Sequence, residues 1–192
     1  MSNREALLEG AKQCLSEKGY ARTTARDIAA AAGVSLAAIG YHFGTTQALL
    51  TEAVFAGIGQ WAEDLGRLLA EEAGNHGTVL EQFEAVWTRV IQSFADHRGV
   101  LAASYEILVR AEEDPEVQRR LAAAMEAGRI ALAELFTDVD AQAEPERARQ
   151  VGAFYYAILS GLMTQWLVDP DHAPSGSDLA AALGELLSAG SR

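Results

Sequence analysis

The stretch from Thr23 to Phe43 restricts the fold most, because the boundaries of two short helices fall within it. Thr24 stands three residues before Asp27, the spacing at which two side chains each satisfy a free backbone N–H at a helix start. Gly33 follows a run of alanines and suits the left-handed turn that ends a helix. The stretch therefore predicts one short helix that begins after Thr24 and ends before Gly33.

A second short helix is predicted directly after that turn. Ser35 is placed to cap it, and the helix would run from Leu36 to about His42. Two short helices joined by a tight turn that contains glycine form the helix-turn-helix, whose second helix lies in the DNA major groove. The same pattern occurs in helical domains that do not bind DNA, so the pattern alone leaves both interpretations open.

Three separated motifs, GY-x-x-T-T, IA-x-x-AGVS and YHF, lie in the run from Leu7 to Leu50. With this spacing the run resembles the tetracycline-repressor (TetR) family of bacterial regulators, over roughly the first quarter of the chain. The resemblance implies a helix-turn-helix DNA-binding domain over residues 1–46 and a ligand-binding and dimerisation domain over residues 47–192. It also implies a transcriptional regulator, expected to be a repressor that a small molecule releases from an inverted-repeat operator.

The whole chain is predicted to be all-α, with about nine helices. Its 192 residues suffice for a small domain attached to a larger one. Of these residues 49% are apolar, yet no run alternates apolar and polar side chains as a half-buried strand does. The predicted interruptions between the later helices are Ala73 to Gly77, His97 to Gly99, Asp114-Pro115 and Asp169-Pro170. Ser175 and Asp178 are spaced to cap the last helix.

Cys14 is the only cysteine in the sequence, which excludes an internal disulfide and a cysteine-based metal site. It falls on the inner face of the first predicted helix beside Ala11 and Leu15, so we expect a core thiol rather than a nucleophile. A single thiol fits a reducing cytosol, and the N-terminus lacks the basic and apolar regions of a signal peptide. The sequence therefore predicts a cytoplasmic protein.

Charge is distributed unevenly along the chain, whose formal net charge is −12. Residues 1–50 contain five basic and four acidic side chains, and the remainder contains ten basic and twenty-three acidic ones. Because DNA repels an acidic surface, only the N-terminal part is expected to face phosphates. For the remainder, an acidic surface that keeps a bacterial protein soluble is a sufficient explanation.

The segment from Val151 to Val168 has eighteen residues without a charge, which reaches the length of a membrane span. It contains Ser160, Thr164 and Gln165, however, and no basic residue flanks its C-terminal end. A helix that is apolar on all sides is otherwise buried on all sides, here against its own core and a partner subunit. With a ninth helix, Leu179 to Leu187, this predicted eighth helix would form a four-helix bundle across a two-fold axis. We therefore expect a homodimer and no membrane.

The resemblance assigns contacts with double-stranded DNA to nine residues of the N-terminal part. They are Thr24, Arg26, Ser35, Leu36, Ala37, Ala38, Tyr41, His42 and Thr46. Thr24, with the N–H groups it caps, matches a phosphate contact at a helix N-terminus. Arg26 matches a position from which an arginine reaches a guanine edge, with a phosphate contact or a solvated side chain as equal alternatives.

On the second predicted helix the apolar residues Leu36, Ala37 and Ala38 form the exposed first turn. They offer no polar group, so they would contact thymine methyl groups or let the backbone approach closely. Tyr41 and His42 match phosphate contacts, although His42 could instead cap the end of the helix. This face would therefore read DNA mainly through shape and apolar contact.

Two positions depart from the pattern of the family. Gly40 stands where the family commonly has tyrosine, and Thr46 stands where it commonly has lysine. Both departures remove contacts with the phosphate backbone, so we expect weaker non-specific binding. They also keep open a second interpretation, a helical ligand-binding or interaction protein that has lost DNA binding.

An effector site is expected in the C-terminal part, because aromatic side chains supply apolar walls with a hydrogen-bonding tip. The residues predicted to line it are Trp61, Phe83, Trp87, Tyr105, Tyr155 and Trp166, with Arg110 and Gln165 to fix a polar group. The alternative for each aromatic residue is an ordinary core position at helical spacing. No cofactor is predicted, and the small-molecule effector stays unidentified.

An enzyme is the other functional class that the residues allow us to weigh. The histidines His42, His76, His97 and His172 are scattered without metal-ligand spacing, and no glycine-rich phosphate loop is present. The paired carboxylates Glu112-Glu113 fall at a helix end that is predicted to be exposed. The sequence therefore predicts neither a catalytic nor a metal site.

Overall fold

A computed structural model describes residues 1–72 and 77–189, and within these ranges all of the regular structure is helical. It contains eight α-helices and one short 3-10 turn, Tyr20–Arg22. The helices are α1 (Asn3–Lys18), α2 (Ala25–Ala32), α3 (Ala37–Phe43), α4 (Thr46–Glu72), α5 (Val79–Arg110), α6 (Pro115–Phe136), α7 (Pro145–Val168) and α8 (Gly176–Ala189). The predicted all-α fold is confirmed.

Contacts within the chain divide it into two compact units. Unit 1 comprises Met1–Leu68 and Ala95–Arg110, and unit 2 comprises Leu69–Phe94 and Ala111–Arg192. The boundaries fall inside helices, since α4 and α5 each contribute residues to both units. The functional boundary after residue 46 is a different kind of division, and it stays a prediction.

Unit 1 holds α1 and α2 at close range around a buried core that includes Leu7 and Ile28. Gly10 allows this contact, because a Cβ there would lie 3.0 Å from the Ile28 carbonyl oxygen and from the Ala32 backbone nitrogen. Cys14 is buried in the same core, and burial raises the pKa of its thiol. The predicted core thiol is confirmed, since a buried thiol that resists ionisation packs as an apolar side chain.

The predicted break at His97 to Gly99 is wrong, because α5 runs without interruption from Val79 to Arg110. Gly99 lies against α1, where a Cβ would sit 2.5 Å from the Leu15 carbonyl oxygen and 2.6 Å from the Ser16 Cα. The glycine is thus needed for a close helix crossing, and inside a helix it costs only about 1 kcal/mol relative to alanine. Joining the predicted fifth and sixth helices leaves eight helices among the described residues.

The predicted interruption from Ala73 to Gly77 falls mostly on residues 73–76, which lie outside the described ranges, as His76 does. After it, Thr78 and Glu81 form a capping box at the start of α5. The Thr78 N–H donates to the Glu81 carboxylate at 2.7 Å, and the Glu81 N–H donates to the Thr78 hydroxyl at 3.3 Å. α5 therefore begins where its own side chains satisfy the first turn.

Unit 2 packs α6 against α7 through small residues. Ala133, Val139 and Ala148 form a buried cluster. Gly152 lies so close to α6 that a Cβ there would overlap the backbone of Arg129. The two helices therefore approach more closely than larger side chains would permit.

The helix boundaries predicted in unit 2 are confirmed. Asp114 accepts hydrogen bonds from two backbone N–H groups in the first turn of α6, at 2.9 and 3.3 Å, and Pro115 is the first helical residue. α7 ends at Asp169. At the start of α8, the Asp178 N–H donates to Ser175 Oγ at 3.2 Å and the Ser175 N–H donates to the Asp178 carboxylate at 2.8 Å. These starts and stops use local signals that the sequence displays.

Candidate nucleic-acid interface and effector cluster

α2 begins with the capping box predicted at Thr24 and Asp27. The Asp27 N–H donates to Thr24 Oγ1 at 3.2 Å, and the Thr24 N–H and hydroxyl donate to Asp27 Oδ2 at 2.9 and 2.6 Å. Lys18, the last residue of α1, donates to Asp27 Oδ1 at 2.5 Å. These hydrogen bonds, first from Lys18 and then from Thr24, hold the pKa of Asp27 well below its usual range. The network fixes the start of α2 against the end of α1.

The turn between α2 and α3 has the left-handed geometry expected at Gly33, with φ 66° and ψ 27°. An L side chain is strained in that region, so glycine is the residue that fits. The Val34 N–H donates to the Ala29 carbonyl oxygen at 3.1 Å, which satisfies one of the free carbonyls at the end of α2. The predicted turn is therefore confirmed.

α3 begins without the side-chain cap predicted from Ser35. The cap position is Leu36, which makes no side-chain hydrogen bond. The Ser35 carbonyl oxygen accepts the Ala38 N–H at 3.0 Å, so the first turn closes through backbone groups alone. Ser35 is exposed, and its hydroxyl makes no hydrogen bond within the described residues.

The short α3 turns one side towards its own core and another towards solvent. Ile39 is buried, whereas Val34 and Phe43 are half-buried. On the opposite side Leu36 is 50% exposed and Tyr41 is 86% exposed. Two large side chains that the sequence assigns to DNA contact are therefore accessible.

The remaining positions of this α3 face are small or polar. Ala37 is exposed, and Ala38 and His42 are half-buried. The His42 ring lies edge-on to the Tyr41 ring, with centroids 4.9 Å apart. Gly40 is exposed, and nothing lies within 4 Å of the position that a Cβ would take. The small side chains on this face therefore leave room for the close approach of a partner.

Arg26 is exposed, and it makes no ion pair, hydrogen bond or ring contact within the described part of the chain. The other four basic side chains of residues 1–50 are engaged: Lys12 with Glu9, Lys18 with Asp27, Arg22 with the Lys18 carbonyl oxygen, and Arg4 with the Phe43 ring. Among these five basic side chains, Arg26 is therefore the one that can bind an anion without first breaking a contact.

The turn from Gly44 to Thr46 leads into α4. Thr45 is the residue that caps the helix, because its Oγ1 accepts the Ala48 N–H at 3.0 Å. Thr46 is the first residue of α4 and is half-buried. Position 46 therefore lies at the N-terminal end of a long helix, where the free N–H groups favour anions.

α7 and α8 carry large apolar side chains on the surface of the chain. Phe154 and Val168 on α7 are 55% and 82% exposed, and Leu186 and Leu187 on α8 are exposed as well. Among the described residues, α7 is the one helix long and apolar enough to cross a membrane, and 11% of its 18-residue window is buried. Length and composition are a weak indication of a span, because core helices of soluble proteins meet the same test. Leu162 is buried in the chain's own core.

The eight residues predicted to line an effector site are divided between the two units. Trp61, Tyr105 and Arg110 belong to unit 1, and Phe83, Trp87, Tyr155, Gln165 and Trp166 belong to unit 2. Arg110 lies over the Tyr20 ring, 5.4 Å from its centroid, and Gln165 donates to the Gly161 carbonyl oxygen of its own helix. Each polar side chain thus has a partner within its own unit.

Four aromatic rings of unit 2, Phe83, Trp87, Phe136 and Tyr155, form what we call the ring cluster. Phe83 lies 6.1 Å from Trp87 and 6.4 Å from Tyr155 between centroids. Phe136 stacks on Trp87 at 5.2 Å and 22°, and on Tyr155 at 4.1 Å and 11°. Trp87 is fully buried, and burial raises the pKa of Tyr155. The structure therefore brings three predicted effector residues together around a fourth ring.

Sequence analysis does not single out Phe136, although its ring contacts the other three of the cluster. Phe136 is the last residue of α6, and nothing local in the sequence indicates that its ring meets residues of α5 and α7. Trp166 lies apart in its ring contacts, since it pairs with Phe94 at 5.7 Å. Helical spacing finds apolar positions but does not show which of them meet.

Two cavities lie in unit 1. One of about 390 Å³ is lined by residues of α1 and α2, and one of about 150 Å³ is lined by residues of α1, α4 and α5. Across residues 1–72 and 77–189, no group of three or more His, Cys, Asp and Glu side chains is arranged to hold a metal. Neither cavity includes a residue of the ring cluster.

Two family models match the sequence. The first, described as bacterial regulatory proteins of the tetR family, matches residues 7–53, and the second, described as a tetracyclin repressor-like C-terminal domain, matches residues 79–189. The first match covers the capping box, the left-handed turn and α3, and the second covers the ring cluster, α7 and α8. A search of curated proteins finds no match.

Solved structures resemble the chain over nearly its whole length. A transcriptional regulator from Streptomyces coelicolor is 25% identical, with a TM-score of 0.64, over 95% of this chain and 96% of that one. The multidrug-binding protein EbrR, solved with imidazole, is 19% identical with a TM-score of 0.69, over 97% and 95%. A structure described as a TetR-family regulator from Mesorhizobium loti is 17% identical with a TM-score of 0.68, over 93% and 90%.

Proposed function

Because the chain belongs to the TetR family of bacterial transcriptional regulators, we propose that it is a repressor that binds an inverted-repeat operator as a homodimer and leaves it when a small molecule binds. The family is one of regulators and not of enzymes. The observation that carries the proposal is the face of α3, where Leu36 and Tyr41 are exposed and Ile39 is buried. A short helix anchored on one side and open on the other is what a major groove accepts.

The residues proposed to contact DNA divide by the kind of contact they can make. Arg26 has a free guanidinium that can pair with a guanine edge or a phosphate. Thr24 keeps its hydroxyl on Asp27, so the phosphate contact at this helix start falls to the N–H groups that it leaves free. Ser35 and Tyr41 have exposed hydroxyl-bearing side chains that can bind phosphate oxygens.

The rest of the proposed α3 interface supplies shape more than charge. Leu36, Ala37 and Ala38 contact bases through apolar surface, and His42 and Thr46 lie where the phosphate backbone would pass. With Gly40 in place of a larger residue, the backbone of α3 can approach the duplex closely. This interface predicts a modest non-specific affinity, because few charges are released from the DNA on binding.

Dimerisation is proposed to use α7 and α8, over Val151 to Val168 and Leu179 to Leu187. The exposed Phe154 and Leu186 support this assignment, since each offers apolar area that a partner subunit could cover. A partner subunit would cover the face of α7 that the chain leaves open, so no membrane is needed to explain its composition. Membership in a family of transcriptional regulators supports a cytoplasmic location.

The effector is proposed to bind in the C-terminal part. Phe83, Trp87 and Tyr155 support this through their shared ring cluster, and Trp61, Tyr105, Arg110, Gln165 and Trp166 remain predicted contributors. A ligand that binds one arrangement of the helices better than another shifts the population towards it. Release from the operator then requires only that, in the favoured arrangement, the spacing of the two DNA-binding domains no longer matches the spacing of the operator half-sites.

The test is a selection of random double-stranded DNA on the purified full-length protein. We expect an inverted repeat whose half-sites are about one helical turn apart, ~34 Å. A footprint on a single asymmetric half-site would overturn the dimeric operator. Failure to enrich any sequence, with a folded dimer present, would favour the second interpretation, a ligand-binding protein that has lost DNA binding through Gly40 and Thr46.

A further inference from the structure

Tyr20 is a buried residue of unit 1 whose side chain contacts two of the long helices. It begins the 3-10 turn between α1 and α2, and it is 8% exposed. Its hydroxyl accepts a hydrogen bond from Nε2 of Gln47, in the first turn of α4. The guanidinium of Arg110, the last residue of α5, lies over its ring at 5.4 Å from the centroid. One side chain therefore links the helices proposed to bind DNA with the start of α4 and the end of α5.

The ring of Tyr20 is the partner that Arg110 has within residues 1–72 and 77–189. Arg110 forms no ion pair or hydrogen bond in these ranges, although Glu106 stands one turn earlier on α5. Burial raises the pKa of the Tyr20 hydroxyl, and the nearby guanidinium opposes that rise. Tyr20 is thus neutral, and Arg110 is attracted by the negative face of its ring, an attraction that strengthens where the ring has lost its water.

α5 has a second contact with α1, at Gly99. A Cβ there would lie 2.5 Å from the Leu15 carbonyl oxygen, so the two backbones meet without side chains between them. Gly99 and Arg110 are eleven residues apart on α5, which is about 16 Å along the helix axis. A single crossing point fixes a distance but leaves rotation about that point possible. A second contact at this separation also restrains the orientation.

We infer that Arg110 is a positioning residue: by holding the ring of Tyr20 from the end of α5, it fixes the orientation in which α1, α2 and α3 meet DNA. The inference rests on the proposed function, because the orientation matters when two α3 helices read one operator together. Arg110 itself does not touch the operator. Without it, the binding orientation is populated for a smaller fraction of the time, and the apparent affinity falls by that fraction.

The first measurement needs no DNA. Backbone amide hydrogen exchange is followed in the full-length protein, and the reporter is the Thr23 N–H, which donates to the Tyr20 carbonyl oxygen at 3.3 Å. Arg110→Ala should speed this exchange about three-fold and leave the amides of α6 and α7 unchanged. Arg119→Ala is the charge-matched control, since Arg119 is exposed and pairs with Glu116 of its own helix. Equal exchange at Thr23 in the wild type and Arg110→Ala would overturn the inference.

The second measurement uses the operator recovered by selection. Arg110→Ala should weaken binding about ten-fold, because each subunit of the dimer loses one contact. The slope of log affinity against log salt should stay the same, since no phosphate contact is lost. Arg110→Lys keeps a cation over the ring and should restore most of the affinity, and Arg119→Ala should bind as the wild type does. A slope reduced by about two per dimer would make Arg110 a phosphate contact and overturn the positioning role.

A second substitution shows whether Arg110 acts through the ring. Tyr20→Leu keeps apolar volume but offers no ring face, so adding Arg110→Ala should cause no further loss of operator affinity. An equal loss in both backgrounds would contradict the inference. If Tyr20→Leu loses its fold by circular dichroism, Tyr20→Phe replaces it. Phenylalanine keeps the ring face, so Arg110→Ala should still cost about ten-fold there, and no loss would contradict the contact.

The two measurements also separate this inference from the proposed function. If the selection enriches no DNA, the proposed function fails, and the exchange of the Thr23 amide still decides whether Arg110 holds Tyr20. If an operator is found and Arg110→Ala binds it as tightly as the wild type does, the proposed function stands and the positioning role is overturned.

Discussion

α3 and α7 both present apolar side chains to solvent, but the two surfaces differ in size and in their polar neighbours. α3 has seven residues, and the exposed positions of the helix and its cap are Leu36, Ala37, Gly40 and Tyr41. α7 has 24 residues, and Phe154 and Val168 stand on it without a charge between residues 151 and 168. A short face of small exposed residues suits a nucleic acid, whereas a long uncharged face suits another protein surface. Exposure alone does not separate the two proposed partners, so the distinction rests on the size of each surface and on the charges of its own element.

The largest expected effect is on assembly. Phe154→Arg places a charge in the proposed interface without a partner, so the dimer should dissociate at least about a hundred-fold more readily. Sedimentation at micromolar concentration measures this change. Gln118→Arg, on the exposed surface of α6, is the control and should leave the dimer intact. Leu162→Arg is unsuitable, because Leu162 is buried within the chain and its replacement would unfold the protomer.

An unchanged sedimentation coefficient in Phe154→Arg would mean that α7 does not form the dimer interface, and the proposed difference between α3 and α7 would not hold. Tyr41→Ala tests the α3 surface in the same way. Because Tyr41 is exposed on α3, its loss should weaken DNA binding and leave the sedimentation coefficient unchanged. The two variants together assign each apolar surface to one partner.

Arg26→Ala should weaken binding to operators that keep the guanine it reads, by about 1–3 kcal/mol per contact. The effect should be smaller on scrambled DNA, where no base contact is lost. Arg22→Ala is the matched control, since Arg22 is also exposed but its side chain donates to the Lys18 carbonyl oxygen. Fluorescence anisotropy on both DNAs measures the difference. An equal loss on both would make Arg26 a phosphate contact.

Thr24→Ala removes the hydroxyl that caps α2, so the free energy of unfolding should fall by about 1 kcal/mol. Thr24→Ser keeps the hydroxyl and should retain most of the stability. Urea denaturation of the two variants and the wild type measures this. Equal midpoints for the alanine variant and the wild type would show that the capping box contributes nothing.

The stabilisation by the hydrogen bonds among Lys18, Thr24 and Asp27 depends on pH, because Asp27 must be ionised. Because the folded-state pKa of Asp27 is lowered by Lys18 and Thr24, its stabilising effect is present above the unfolded-state pKa of about 4. The stabilisation is lost as the pH falls through that value towards the folded-state pKa. Asp27→Asn should therefore make the unfolding free energy less sensitive to pH in this acid range. Parallel pH profiles for the variant and the wild type would contradict the ion pair.

The smallest effect is expected at Thr46, which neutralises no phosphate. Thr46→Lys should tighten binding to all DNA alike and steepen the slope of log affinity against log salt by about two per dimer. Thr46→Gln, which is long but neutral, is the matched control and should leave the slope unchanged. A slope that stays the same in Thr46→Lys would mean that the start of α4 does not face the DNA backbone.

The fold was predictable wherever a local signal decides it. The capping residues Thr24, Asp114 and Ser175 and the turn at Gly33 act within a few positions of themselves, so the sequence displays them. Gly99 looks like a break for the same local reason, but its role is a contact with α1, more than eighty residues away in the chain. Distant packing of this kind is invisible to helical spacing.

The same distinction between local signals and distant packing applies to the candidate sites. The exposure of Leu36 and Tyr41 follows from the two short helices and the turn at Gly33, whereas the ring cluster depends on which faces of α5, α6 and α7 meet. The sequence points to Trp87 and Tyr155 as aromatic residues but gives no reason to add Phe136. The cap predicted at Ser35 fails because Leu36 closes the first turn with backbone groups alone.

Gly40 has a consequence for how such a regulator changes over generations. Nothing lies within 4 Å of the place that a Cβ would take there, whereas backbone atoms lie 3.0 Å from it at Gly10 and 2.5 Å from it at Gly99. Almost any residue at position 40 would also favour the helix over glycine, by roughly 0.5–1 kcal/mol. In the proposed repressor, one codon change at this position can therefore alter operator affinity without a folding cost, so that affinity can adapt independently of the scaffold that carries it.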